Sequence, residues 1–167
     1  MHESLEEFLD HVAQRGSWFG GGSAAALTSA LAAALLEKVV VEPSVLQRLR
    51  RIRRVCVELI QRDATAFAAV IRAIRQQNTR AFRMTLQAAT EVQWQVFECA
   101  RRVGADGTAA QRLVKPRFQS DLRCAMAMAR AAEVSARTLI VTNLAWLHDR
   151  SYTRAIRRRI QALPKHR

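Results

Sequence analysis

The chain has 167 residues, of which 50% are hydrophobic, with only 6 glycines and 3 prolines. This length fits one domain, and the excess of good helix formers without an alternating β-branched run argues against a sheet-based fold. The net charge of +13 is unevenly distributed, at −4 over residues 1–42 and +17 over residues 43–167, and the basic part suits a polyanionic ligand or partner.

Helical periodicity recurs along the whole chain. The segments with an apolar residue at every third or fourth position are 3–15, 24–40, 44–76, 79–103, 108–114, 121–148 and 151–162. We expect Ser23 and Ser120 to act as N-caps, the glycines at 104 and 107 to end the fourth segment, and residues 164–167 to fray. The pattern predicts an all-α, single-domain bundle of about six helices over residues 1–167, with long central helices whose alanine-rich seams favour dimerisation.

The cysteines, the histidines and the N-terminal segment argue against a disulfide-bonded, a metal-binding and a membrane protein. The three cysteines, Cys56, Cys99 and Cys124, are widely spaced, so we expect buried free thiols rather than disulfides or a zinc site. The four histidines also lack metal-ligand spacing, and no metal site is predicted. The N-terminus is acidic, and the most apolar run, 23–36, is shorter than the roughly 20 residues that span a bilayer. We therefore expect a core helix, no membrane segment and a cytoplasmic protein.

Three consecutive glycines, Gly20, Gly21 and Gly22, come directly before Ser23 and the alanine-rich helix. Glycine lets a ligand approach the backbone closely, and a helix N-terminus favours an anion or a carbonyl oxygen. The segment lacks the Gly-Lys-Ser/Thr of a Walker loop, and no predicted strand precedes it as in a dinucleotide fingerprint. It is therefore either part of a ligand site or an ordinary flexible turn.

Three polar side chains also deserve functional consideration. Asp63 lies on the apolar stripe of the third helix, where a carboxylate either pairs with an arginine or has the raised pKa that suits proton transfer. Asp121 lies in the first turn of the fifth helix, where the helix dipole alone favours an acid. Asn143, on the stripe of the same helix, either binds a ligand or fixes the helix register.

Four segments, taken in chain order, resemble the cyclodeaminase/cyclohydrolase family. This family includes the C-terminal half of formiminotransferase-cyclodeaminase and bacterial methenyltetrahydrofolate cyclohydrolases. The similar segments, collinear from about residue 5 to residue 150, are Phe8-Leu9-Asp10 with Gly20-Gly21-Gly22-Ser23-Ala24-Ala25-Ala26-Leu27, Asp63-Ala64-Thr65-Ala66-Phe67, Ala89-Thr90-Glu91-Val92, and Ser120-Asp121-Leu122 with Asn143-Leu144. The chain departs from the usual family pattern at Ser17-Trp18-Phe19, where the family has prolines, and at Arg117-Phe118-Gln119, where the family is rich in Asn.

The resemblance implies an all-helical homodimer that handles a tetrahydrofolate one-carbon derivative as substrate, without a metal or a permanently bound cofactor. The reaction would be loss of ammonia from the formimino form or addition of water to the methenyl form, and both need proton transfer. Asp63 and Asp121 would be the acid/base groups. The residues that would bind the folate are Gly20, Gly21, Gly22, Ser23, Ser120 and Asn143. The charge of +13 suits the glutamate tail of a folate.

The alternative is a non-catalytic binding protein on the same fold, with the basic surface serving an acidic partner or nucleic acid. The +17 charge of residues 43–167 motivates this hypothesis. It ranks second because the sequence contains no recognised nucleic-acid-binding motif.

Overall fold

The computed structural model describes residues 4–163, and these form α-helices without any strand. The helices are α1 (Leu5–Ala13), α2 (Gly21–Val39), α3 (Pro43–Arg75), α4 (Thr79–Ala110), α5 (Gln119–Leu147) and α6 (Arg150–Ala162), with a 3-10 turn at Pro116–Phe118. The predicted all-α bundle with long central helices is confirmed. The predicted frayed tail, 164–167, lies outside the described residues.

The four long helices, α2 to α5, form the body of the bundle, and α2 contacts each of the other three. The buried face of α2 consists mostly of Ala and Ser, and these small side chains let the neighbouring helices approach closely. By length and composition α2 is apolar enough to cross a membrane, but 56% of that stretch is buried inside the bundle. The predicted core helix is thus confirmed.

The start of α2 differs from the prediction. Ser23 is not the N-cap, because α2 begins at Gly21 and its N-cap is Gly20, which makes no side-chain capping hydrogen bond. Ser23 lies in the first turn and is fully buried. Its hydroxyl lies 3.1 Å from the carbonyl oxygen of Ile60, so it bonds across the bundle to α3 instead of capping its own helix.

Helix α4 continues through the glycines that were expected to end it, and the separate helix predicted at 108–114 is wrong. At Gly107 an added Cβ would lie 2.9 Å from Met126 Cγ, so the glycine allows α4 to pack tightly against α5. At Gly104 nothing lies within 4 Å of such an atom. A helical glycine costs roughly 0.5–1 kcal/mol, and the packing of α4 against α3 and α5 outweighs that cost.

The start of α5 also differs from the prediction. The helix begins at Gln119, directly after the 3-10 turn, and its N-cap is Phe118, so Ser120 is not the cap. Ser120 is exposed on the first turn of the helix. The 3-10 turn replaces a capping side chain, because Pro116 fixes its own φ near the helical value and directs the chain into α5.

The cysteines are free, as predicted, but they differ in burial. Cys56 is buried and Cys99 is half-buried, whereas Cys124 is exposed on α5. The expectation of three buried thiols is therefore wrong for Cys124, because the apolar pattern around it continues onto the outer face of the helix.

Helix α1 positions the segment that leads into the three glycines. The Phe8 ring of α1 packs edge-to-face on the Phe19 ring at 5.7 Å between centroids. The His11 ring stacks on the same Phe19 ring, also at 5.7 Å. These two ring contacts hold Phe19 against α1, so the residue directly before the three glycines has a fixed position.

Candidate functional site

A cleft of about 280 Å³ opens between the start of α2, the middle of α3 and α4, and the last turns of α5. The residues that line it are Trp18, Gly20, Gly21, Gly22, Asp63, Phe67, Val70, Leu86, Ala89, Gln93, Leu139, Thr142, Asn143 and Trp146. Among the described residues that line the cleft, Asp63 alone has a titratable side chain. The cleft therefore combines an apolar wall with a single ionisable group, which is a common design of small-molecule sites.

The carboxylate of Asp63 is held by two neighbouring helices. Ser23 Oγ of α2 lies 2.8 Å from Asp63 Oδ2, and Gln93 Nε2 of α4 donates to Asp63 Oδ1 at 2.5 Å. Burial raises the pKa of Asp63 above its ordinary value, while the hydrogen bonds from Ser23 and Gln93 partly oppose that rise. Within residues 4–163 no Lys or Arg forms an ion pair with Asp63, so the salt-bridge interpretation is not supported.

The glycines bring the backbone of α2 against this carboxylate. A Cβ added at Gly22 would overlap both the Gln93 amide and the Asp63 carboxylate, so only glycine leaves room for their hydrogen bond. At Gly21 an added Cβ would make ordinary contact with Leu139 at 3.8 Å. The run is therefore more than a flexible turn, because Gly22 is a packing requirement of the site.

Three large aromatic side chains surround the cleft and remain partly open to solvent. Trp18 and Phe67 are each 41% exposed, and Trp146 is 52% exposed. Phe67 lies within one of the segments that resemble the family, but none of the three rings was predicted from the sequence as a site residue. Single exposed apolar side chains are common on protein surfaces, but three aromatic rings around one cleft suit a flat, aromatic ligand.

The structure brings together most of the predicted site residues but not all of them. Asn143 lines the cleft with the glycines and Asp63, and Ser23 bonds to Asp63 from behind. Asp121 pairs instead with Lys38 at 2.8 Å, and Ser120 is exposed beside it. Since a helix rises 1.5 Å per residue, Asp121 lies about 33 Å from Asn143 along α5. Within one subunit, the Ser120–Asp121 turn is therefore remote from the cleft.

Gln93 is a further residue of the site that was not predicted from the sequence, and its side chain is only 3% exposed. Its neighbours Val92 and Trp94 are buried as well, so Gln93 is an amide within a buried stretch of α4. A buried polar side chain among apolar neighbours requires a partner, and this was the available signal. The partner itself, Asp63, lies 30 positions away and is brought close only by the packing of α3 against α4.

Metal-binding groups are not apparent in the described part of the chain. Between residues 4 and 163, no cluster of three or more His, Cys, Asp or Glu side chains is arranged to hold a metal ion. The chemistry available at the cleft from the described side chains is that of one carboxyl group, two amides, one hydroxyl group and exposed aromatic rings.

Comparison with known proteins gives the family. Among solved structures, formiminotetrahydrofolate cyclodeaminase from Thermotoga maritima is similar, with a TM-score of 0.89 and 20% sequence identity over 96% of this chain and 87% of that chain. At this identity the likeness shows a shared fold. A search of curated proteins gave no match. A family model described as formiminotransferase-cyclodeaminase matches residues 4–162. The resemblance of the sequence motifs is thus confirmed, and the chain belongs to the formiminotransferase-cyclodeaminase family.

Proposed function

We propose that this protein is a folate-dependent enzyme that converts a one-carbon derivative of tetrahydrofolate in the cleft, as a cyclodeaminase, a cyclohydrolase or both. The observation that carries the proposal is the state of Asp63. It is the one titratable group in the described lining, its pKa is raised by burial, and two helices hold it in place. A carboxyl group with a raised pKa keeps its proton at a higher pH than an exposed carboxyl group does, which suits it to proton transfer.

The two reactions make the same demand on such a group. In the cyclodeaminase reaction a second folate nitrogen attacks the formimino carbon, the bond from that carbon to the amine breaks, and ammonia leaves. The attacking nitrogen loses a proton and the departing amine gains one, so a single carboxyl group serves as base and then as acid. In the cyclohydrolase reaction, water adds to the methenyl carbon and loses a proton to the same group. One carbon–nitrogen bond of the hydrated intermediate then breaks, its nitrogen takes that proton, and the hydroxyl group releases its own proton to water as the formyl group forms.

The remaining features of the cleft fit the rest of a folate. The faces of Trp18, Phe67 and Trp146 offer stacking surfaces for a flat heterocycle. The Asn143 amide offers both a donor and an acceptor to the polar edge of such a ring. The backbone at Gly21 allows a ligand to approach the start of α2 closely.

We further propose that the enzyme is a homodimer in which Asp121 of the partner subunit completes the cleft. Small, uncharged side chains form an exposed row along α5, and the row reaches the cleft at Thr142. The members of the row are Cys124, Ala127, Ala131, Ser135 and Thr138. If two copies of α5 pair in antiparallel fashion about a two-fold axis at Ala131, residue 121 lies opposite residue 141, beside Thr142.

The direct test is turnover of formimino- and methenyltetrahydrofolate by the purified protein. We expect conversion of at least one substrate, and we expect Asp63→Asn to reduce kcat by about 100- to 10,000-fold, as for loss of an acid/base group. Asp10→Asn is a matched control, because Asp10 is exposed on α1. Absence of turnover and of folate binding would refute the proposed activity, and full activity of Asp63→Asn would refute the role of Asp63.

A second candidate function is polyanion binding by α3. A groove along this helix is lined by four arginines, Arg48, Arg50, Arg51 and Arg54, and by Glu58. Arg48 pairs with Asp106 and Arg50 with Glu37, so the proposal depends mainly on Arg51 and Arg54. Phosphate contacts give a steep dependence of affinity on salt concentration. Titration of an RNA or DNA oligonucleotide at several salt concentrations tests this function, and affinity no higher than that of an unrelated protein of equal charge contradicts it.

A further inference from the structure

The hydrogen-bonding groups around Asp63 are compatible with both the carboxylate and the carboxylic acid form of its side chain. Gln93 Nε2 donates to Asp63 Oδ1 at 2.5 Å, but Gln93 Oε1, at the other end of the amide, is buried and has no hydrogen-bond partner in the described part of the chain. Nothing therefore holds the amide in its present orientation except the carboxylate itself. A half-turn of the amide would present Oε1 to Asp63 in place of Nε2.

The hydroxyl of Ser23 has the same freedom. Ser23 Oγ lies 2.8 Å from Asp63 Oδ2 and 3.1 Å from the carbonyl oxygen of Ile60. A hydroxyl group has one hydrogen, so it donates to only one of these two acceptors at a time. When it donates to Ile60, its lone pairs are available to accept a proton from Asp63.

We propose that Gln93 and Ser23 are positioning residues that support Asp63 both as a carboxylate and as a carboxylic acid. With the carboxylate, Gln93 Nε2 and Ser23 Oγ donate. When Asp63 has taken a proton, either the amide turns to accept through Oε1 or the hydroxyl turns to donate to Ile60. Asp63 can thus gain and lose a proton without leaving its position. The inference rests on the proposed role of Asp63 in proton transfer.

No other charged side chain among the described lining residues lies beside Asp63 to fix its protonation state. The lining residues contributed by α2, α4, α5 and the segment before α2 include no titratable side chain. Of the nearby charged groups, Arg62 on α3 bonds to Gln95, and Glu91 on α4 bonds to Arg159 of α6. A Lys or Arg partner would fix Asp63 as a carboxylate, and an apolar partner would favour the acid. An amide and a hydroxyl accept either state.

The test is to measure the protonation midpoint of Asp63 by carboxyl carbon NMR, without substrate, in the wild type and in Gln93→Met and Ser23→Ala. Each variant removes a donor to the carboxylate, so we expect the pKa of Asp63 to be about one pH unit higher. The Gln93 side-chain amide resonance of the wild type should titrate with the same midpoint. Gln95→Met is the matched control, because Gln95 lies on the same helix and bonds to Arg62 instead.

Kinetics give the second readout. We expect Gln93→Met to lower kcat by about 100-fold with little change in KM, and to move the acid limb of the pH profile upward. Adding Gln93→Met to Asp63→Asn should cause no further loss, because Gln93 acts through Asp63. An unchanged Asp63 midpoint in both Gln93→Met and Ser23→Ala would overturn the inference. If the wild type turns over neither folate, the proposed function fails, whereas the NMR titration still decides the roles of Gln93 and Ser23.

Discussion

Each end of α5 carries a polar residue that the sequence motifs predict to be part of the site, but the surroundings of these two residues differ. At the C-terminal end, Asn143 shares a mostly apolar cleft with Asp63, whose pKa is raised by burial. At the N-terminal end, the Asp121 side chain is 31% exposed and pairs with Lys38. A carboxylate becomes an acid/base group when the fold removes water from it and supplies adaptable partners. The C-terminal end meets that condition, whereas the N-terminal end would meet it only in the proposed dimer.

Beyond the carboxylates themselves, the largest expected effect is at Gly22. In Gly22→Ala the new methyl group must push apart the Asp63 carboxylate and the Gln93 amide, so we expect kcat to fall about 100-fold. The free energy of unfolding should fall by about 1–3 kcal/mol, as for other overpacked sites. Chemical denaturation and the folate assay measure the two effects.

Gly104→Ala is the control for this experiment, because nothing lies within 4 Å of an added Cβ at that position of α4. It should raise the free energy of unfolding by about 0.5–1 kcal/mol and leave kcat unchanged. If Gly22→Ala keeps wild-type kcat, the close approach of α2 to Asp63 is irrelevant to catalysis.

The proposed contribution of the partner subunit predicts complementation. Asp63→Asn and Asp121→Asn should each retain at most about 1% of wild-type kcat alone, as for loss of an acid/base group, but in a mixed dimer one of the two sites has both carboxylates. Random mixing of equal amounts should therefore restore about one quarter of wild-type activity. Wild-type kcat in Asp121→Asn, or no recovery on mixing after subunit exchange has been verified by mass spectrometry, would remove Asp121 from the site.

A smaller effect is expected on the pH dependence of stability. Because the pKa of Asp63 is raised in the folded state, the folded protein keeps a proton that the unfolded chain has already released. This contribution to stability is complete below the ordinary Asp pKa and is lost as the pH rises through the raised value. Thermal unfolding from pH 3 to pH 8 should show that loss in the wild type relative to Asp63→Asn. A constant difference between the two curves would show that burial does not perturb Asp63.

The smallest effect is expected at the other end of α5. Lys38 is 60% exposed, so the ion pair with Asp121 is screened by water, and Lys38→Met should change the free energy of unfolding by less than about 1 kcal/mol. A larger loss, measured by chemical denaturation, would mean that the Asp121 end of α5 is structurally more important than its exposure indicates.

The sequence alone determined the all-helical class, the central position of α2 and two of the segments that line the cleft. Helical periodicity is a local property, repeated every 3.6 residues, and it identifies which residues face the core without any knowledge of their partners. The same local pattern singled out Asp63, because a carboxylate on an apolar stripe is costly unless the fold uses it. The glycine run stood out because three such residues in succession are rarely needed for a turn.

The tertiary structure decided which of these residues meet. Ser23 fits the local pattern of an N-cap, but it bonds across the bundle because α2 and α3 pack closely at Gly22. Gln93 forms a hydrogen bond to Asp63 on another helix, and the length of α5 separates Asp121 from the cleft. The spacing of residues along the chain determines which face of a helix each residue occupies. Which residues meet in a site depends also on the lengths of the helices and on the angles at which they cross, and those angles are determined by packing.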